Sequence, residues 1–357
     1  MRRRRRKAGD DLDDGARPQT RATIHDIARE AGVSTATVSR FFNQPEKVSA
    51  TTRDRVRSVI AHHHYVSDGL AGGLASRRSR TLGLIIPTIT NSIYAASTQA
   101  IQQAAQEAGY TVLVGISEFS REQEATLIHR LLERRVEGLI LTGVARDANL
   151  YEKISRNHIP FVITWRLTRQ TDMPAISFDN YKAAQAAVDH LVALGHRRIG
   201  MMCGRTAVND RALDRRRAFE DTLAAHGLEV DPALIFERGF EFIEGRAAMQ
   251  AMLANKIPPT AVFCANDIQA IGAMYECRDR GLDVPRDMSI IGFDDIPIAS
   301  YISPQLTTIR VPADEMGARA ARSIIGAIEA DHNVPPFELP TDLIVRGTTA
   351  PPRPAAL

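Results

Sequence analysis

The chain is predicted to be an α/β protein, with a small three-helix head, a linker, and a large core of two doubly wound parallel-sheet subdomains. Three observations predict this. At 357 residues, the chain is too long for one ordinary domain and suits two or three. Its charge is divided. Residues 1–80 carry 17 Lys/Arg against 9 Asp/Glu, a net +8, while residues 81–357 carry 28 against 33, a net −5. From residue 81 onward, short apolar runs alternate with amphipathic helical patterns, the rhythm of parallel sheets covered by helices on both faces. A hydrophobic content of 44% against 24% charged residues supplies a large core and excludes bulk disorder. No run of 18 apolar residues occurs, and the basic run Arg2–Lys7 leads into aspartates. Neither a membrane span nor a secretory signal is therefore expected. Cys203, Cys264 and Cys277 are too few and too scattered for a disulfide framework or a metal cluster, and a reducing cytoplasm is the expected compartment.

Residues 1–20 form a basic and then acidic tail. Without Arg2–Lys7 the head is only +2, and the run reads as a nonspecific electrostatic arm in preference to a nuclear signal. Thr23 and Asp26 have capping-box spacing, and Ile24, Ile27, Ala28 and Ala31 follow at helical spacing. Gly32 stops that helix, with Val33 as an apolar plug behind it. Ser34 caps a second helix containing Val38 and Phe41, which Asn43-Gln44-Pro45 ends. Ser49 caps a third, with Val56, Val59 and Ile60 on its apolar face. A helix pair of this kind can be a plain structural hairpin. Here, however, the second helix presents Ser34, Thr35, Thr37, Ser39 and Arg40, all donors. Short hydroxyls and an Arg near a helix N-terminus suit phosphates and base edges in a major groove.

The run Thr23-Ile-His-Asp-Ile-Ala-Arg-Glu-Ala-Gly-Val-Ser-Thr-Ala-Thr-Val-Ser-Arg40 resembles the headpiece of the LacI/GalR (lactose-repressor) family. Val48-Ser-Ala-Thr-Thr-Arg53 and Tyr65 continue the likeness, which runs to about Thr348. The resemblance implies a helix-turn-helix DNA-binding domain over 21–66, with Thr23, Ser34, Thr35, Ala36, Thr37, Ser39, Arg40 and Asn43 at the DNA. It implies a hinge over 67–80 that folds on operator DNA and presses Leu74 into the minor groove. Gly69, Gly72 and Gly73 flank that leucine. Each glycine costs a helix roughly 0.5–1 kcal/mol relative to Ala, which fits a segment ordered by binding. Gly72 stands where many relatives carry Arg, and Ser67 where they carry Pro.

The core is expected over 81–348, divided into 81–180 with 310–338 and 181–309 with 339–348, before a tail at 349–357. Its expected strands are Leu82–Pro87, Thr111–Ser117, Glu137–Gly143, Ile159–Trp165, Arg198–Gly204, Ala261–Ala265 and Ser289–Phe293, with helices between them. Leu306–Val311 and Leu339–Thr348 cross back between the halves. This is a periplasmic-binding-protein-like core, and the resemblance implies the same. The resemblance also places Tyr94, Arg215, Phe240 and Asp294 in an effector cleft. Trp165 either stacks on a sugar face or packs in the core. Asn266 and Asp267 either cap a helix or touch ligand at a strand end. An Arg fork at 215 suits a carboxylate, phosphate or vicinal diol. Ser39–Glu46, Phe178–Asn180, Val262–Asp267 and Tyr275–Cys277 look most like the gluconate-type repressors, which makes a sugar acid the natural effector.

No Gly-x-Gly-x-x-Gly, Walker loop, Gly-x-Ser-x-Gly or His-Glu-x-x-His is present, so neither an enzyme nor a cofactor is expected. His62, His63 and His64 are expected to point around a solvated helix end rather than to hold a metal. The expectation is a DNA-binding transcriptional repressor that reads double-stranded operator DNA as a homodimer under control of a small carbohydrate-like effector. The alternatives are a solute-binding protein or an enzyme on the same core.

Overall fold

The helical head begins at the capping box the sequence spells out. In a computed structural model describing residues 22–65, 78–144, 146, 148–167, 173–330 and 332–353, helix α1 spans Ile24–Glu30. The Thr23 amide donates to Asp26 Oδ2 at 3.0 Å, and the Asp26 amide donates back to Thr23 Oγ1 at 3.3 Å. Gly32 takes φ +63°, a left-handed turn that favours glycine. Ser34 then caps α2 (Thr35–Asn43), and Ser49 caps α3 (Ala50–His62). Ile27, Ala28, Ala31, Val38 and Val56 form the buried centre, with Val33, Phe41, Val59 and Ile60 packed around it. The described residues up to 79 form one compact unit and those from 80 onward another.

The three histidines stand at the solvated end of α3, as expected. The helix stops at His62, His63 is the C-cap, and His64 has left-handed φ +47°. The rings of His62 and His63 stand 5.1 Å apart, edge to face.

In the core, β1 (Thr81–Ile86), β2 (Thr111–Ile116), β3 (Gly138–Thr142) and β4 (Phe161–Thr164) pair in parallel in the order β2-β1-β3-β4. Helices α4 (Ser92–Glu107), α5 (Arg121–Glu133) and α6 (Ala148–Arg156) connect them. A short β5 (Ile176–Ser177) follows, and then α7 (Asn180–Ala193) begins the second subdomain. There β6 (Ile199–Cys203), β7 (Ile235–Glu237), β8 (Ala261–Cys264) and β9 (Ser289–Ile291) repeat the pattern in the order β7-β6-β8-β9. Helices α8 (Asp210–Ala225), α9 (Phe242–Leu253) and α10 (Asp267–Asp279) link these strands. The strand β7 and helix α9 are additions to the sequence reading.

The chain then returns. β10 (Thr308–Arg310) pairs antiparallel with β12 (Asp342–Ile344), and β11 (Phe337–Glu338) pairs in parallel with β5. The long α11 (Ala313–Ala330) packs on α4, β3 and β4 of the first subdomain, whereas α7 packs on α8 and β8 of the second. Three connections thus join the two halves. The tail expected from residue 349 begins too early. Ala350 exchanges two hydrogen bonds of 3.0 Å with the Ser289 hydroxyl, and Arg353 pairs with Asp287 at 2.6 Å. These bonds satisfy polar groups beside β9 and pin the chain to the second subdomain.

Candidate effector cleft and DNA-reading helix

In both sheets the strand order reverses beside the first strand. Side chains from the carboxyl ends of neighbouring strands converge there, and open α/β sheets bind ligands at such points. The two sheets turn these ends toward one cavity. It is lined by Asn91, Ile93, Tyr94, Trp165, Gly204, Asn209, Arg211, Ala212, Arg215, Phe240, Ala265, Asn266 and Asp294. Six of the seven cleft residues expected from the sequence are among them. As it stands the cavity holds about 20 Å³ of free space, room for roughly one water. A sugar-sized ligand therefore enters only if side chains or subdomains move.

Arg215, on the inward face of α8, is buried. Its Nε donates to Asn180 Oδ1 at 2.9 Å and its Nη1 to the Ala265 carbonyl at 2.6 Å. Its guanidinium lies 3.6 Å from the Phe293 ring centre. Burial lowers its pKa, and the nearby Asp294 opposes that shift. Arg215 opens a run of three arginines, Arg215-Arg-Arg217. Arg216 faces outward to Glu220 and Glu237, and of these three arginines only Arg215 lines the cavity.

Asp294 follows β9 with φ +120°, a conformation that costs a non-glycine residue of order 1–3 kcal/mol and tends to cluster at functional sites. Its Oδ2 accepts from Asn266 Nδ2 at 2.9 Å. Burial pushes its carboxyl up to about 8, against the pull of Arg215. Trp165 also has left-handed φ, +70°. Its ring packs 4.7 Å from Tyr94 and 6.3 Å from Phe178, as the core reading expects, and it also lines the cavity. Phe240 stacks on Phe119 across the cleft, with ring centres 5.4 Å apart.

Asp267 is the exception and corrects the sequence reading. It does not line the cavity. Its carboxylate is buried beneath the strand ends, where Thr308 Oγ1 donates to it at 2.6 Å and the Ile296 amide at 2.9 Å. Burial raises its pKa to about 6 despite those donors. Asn266 caps α10, as expected, and also lines the cavity.

Sequence reasoning missed Arg211 and the contacts around it. Arg211 lies one helical turn before Arg215, an i, i+4 spacing that shares a face and was the available signal. It pairs with Asp210 at 2.7 Å. Asp210 also accepts from the Val144 amide of the first subdomain, and Arg166 reaches Asp214 at 2.9 Å. This ionic seam crosses the cleft. Gly143 permits it, because a Cβ there would collide with Arg211 and Asp210.

In the head, Ser34 Oγ accepts from the Thr37 amide at 3.2 Å and lies 2.9 Å from the Thr37 hydroxyl. Both hydroxyls are thus partly engaged in capping α2. Ala36 and Arg40 are exposed, Thr35 and Ser39 half-exposed, and Asn43 is the last residue of α2. α2 has no acid in its first turn. Thr23, at the start of α1, is exposed. Leu74 lies outside the described residues.

A helix-turn-helix head on a two-lobed α/β core with a charged, aromatic-walled cleft defines a DNA-binding transcriptional regulator. The model described as bacterial regulatory proteins, lacI family, matches residues 23–68, and a periplasmic binding protein-like domain matches 188–349. The chain is 35% identical over 334 residues to the HTH-type transcriptional repressor CytR of Escherichia coli (strain K12), covering 93% of this chain and 97% of the relative. A lac repressor dimer bound to operator and the anti-inducer ONPF superposes with a TM-score of 0.81 at 30% identity, covering 92% of this chain and 99% of that one. The transcription regulator GntR from Chromobacterium violaceum gives 0.71 at 26% identity, covering 75% and 99%. The chain belongs to the lacI family of bacterial regulatory proteins.

Proposed function

We propose that the protein is a cytoplasmic, non-enzymatic repressor that binds a pseudo-palindromic operator as a homodimer and is controlled by a small carbohydrate-like anion, such as a sugar acid. The observation that carries the effector class is the pairing of Arg215 and Arg211 in one cavity with Asp294. At neutral pH a carboxyl with a pKa near 8 is largely uncharged, so the cavity keeps net positive character. Arg215 would take the carboxylate, Asn266 and Asp294 the hydroxyls, and Tyr94 or Trp165 the ring face. A calorimetric or thermal-shift screen of sugars, sugar acids and sugar phosphates tests this. A true effector raises core stability by mass action, and stabilisation by neutral sugars alone would contradict the anionic assignment.

The same geometry gives a pH signature. An anion beside Asp294 raises that carboxyl's pKa further, so its affinity is full below about pH 8 and falls as Asp294 ionises. A neutral polyol that donates to the carboxylate has the opposite sign and binds better as pH rises through the same range. Calorimetry at pH 6.5 and 9 separates the two.

Thr35, Ala36 and Arg40 are assigned to base edges, with Thr23, Ser34, Thr37, Ser39 and Asn43 at phosphates or positioning the helix, and Leu74 at the minor groove. Arg40→Ala is expected to cost about 1–3 kcal/mol at one base pair and relax specificity there. Equal weakening on every sequence in a binding assay would reassign it to phosphate.

Two faces support the dimer. The edge strand β2 exposes Leu113, Val114 and Ile116, a liability unless another surface covers it. On the second subdomain, Ile271, Met274, Tyr275, Leu282, Val284, Ile302 and Pro304 line a groove of about 350 Å³, and nearby Tyr301 is 83% exposed. Sedimentation at low micromolar concentration is expected to give a dimer, and a monomer or stable tetramer would contradict it. Among the described residues, no helix is long and apolar enough to cross a membrane.

A further inference from the structure

We infer that Glu30, His62 and His63 form a binding site for zinc or a similar divalent transition metal, which ties the end of α1 to the end of α3 in the DNA-binding head. One potential ligand atom from each of the three side chains lies within 4.8 Å of the others. His63 Nε2 is already hydrogen-bonded to the Glu30 carboxylate, and the two imidazoles stand edge to face. Two imidazoles and one carboxylate are a known zinc donor set, with water completing the tetrahedron. Zinc bonds of about 2.0–2.2 Å put ligand atoms about 3.3 Å apart. Closing from the present spacing therefore takes side-chain rotations on the order of 1 Å. The side chains are free enough to make them, since Glu30 is 47% and His63 30% exposed.

His62 ends α3 and His63, its C-cap, keeps a right-handed helical conformation, whereas His64 turns into the left-handed region. His64 is accordingly not in the cluster. Glu30 is the last residue of α1, the end at which the helix dipole disfavours an acid and favours a cation. A metal ion there offsets that charge. It also supplies a cross-link to a domain that buries six apolar residues among the described ones, and small domains gain most from such staples. The site is independent of the effector cleft and of which operator is read.

The test uses the full chain, stripped with chelator and titrated with zinc chloride by calorimetry. The expected result is one zinc per chain with a micromolar Kd, weakened at least tenfold by Glu30→Gln, His62→Gln and His63→Gln and unchanged by His64→Gln. Circular dichroism establishes that each variant is folded. Should one fail to fold, copper-loaded parent protein is read by electron paramagnetic resonance, where coupling to two imidazole nitrogens is expected. Zinc affinity unchanged in all three variants, no binding at about 100 μM, or a copper spectrum without imidazole coupling overturns the assignment.

Discussion

Arg215→Ala is expected to weaken effector binding by about 2–5 kcal/mol, more than tenfold in Kd, while operator binding without effector persists. The magnitude follows from removing one partner of a buried charge-assisted contact, which leaves the ligand's anion desolvated and unpaired. The guanidinium is held by Asn180 Oδ1, the Ala265 carbonyl and the Phe293 face, so it is positioned before any ligand arrives. That preorganisation makes its removal more costly than the loss of a mobile surface arginine. Lysine at this position keeps the charge but loses the planar fork, and it should recover only part of the affinity. Calorimetry on the parent and both variants reads the effect. A normal effector response in Arg215→Ala would move the anion site to Arg211, whose substitution is then the next experiment.

Control of DNA binding requires that the effector favour one arrangement of the subdomains over another. The ionic seam of Asp210, Arg211, Asp214 and Arg166, with the Val144 amide, holds the cleft closed around little free space. An anion that competes with Asp210 for Arg211 acts directly on this seam.

The second large effect is on stability. Asp267→Ala is expected to destabilise the core by about 2–5 kcal/mol, because the Ile296 amide and the Thr308 hydroxyl both lose a buried acceptor. Chemical denaturation measures the loss. Effector affinity of the folded fraction should be unchanged, the reverse of the Arg215 result. A variant of parent stability with weakened effector binding would return Asp267 to the ligand site.

The head was the most legible part of the chain, because its determinants are local. Thr23 with Asp26, Gly32, Ser34 and Ser49 act within one turn of where they stand. The alternation of strands and helices was legible for the same reason, since a buried parallel strand is a continuous apolar run. Two of the elements not named from the sequence have a weak signal. β7 has three residues, all half-buried at a sheet edge. In α9, Phe242 and Ile243 are exposed while Ala248, Met249 and Met252 are buried, which blurs its apolar face.

The sequence by itself determined the helical head, the two-lobed α/β core and, through the family's motifs, which strand ends carry the cleft. Tertiary structure alone decided which neighbouring polar groups face the cavity. Asn266 and Asp267 are adjacent in the chain, yet Asn266 lines the cleft while Asp267 points under it to Thr308. Arg211 gains its place from Gly143 and Asp210. The physical reason is common to these buried groups. Periodicity and capping are set over a few residues, but the direction of a buried charge is set by the partners that can satisfy it, and those come from distant parts of the chain.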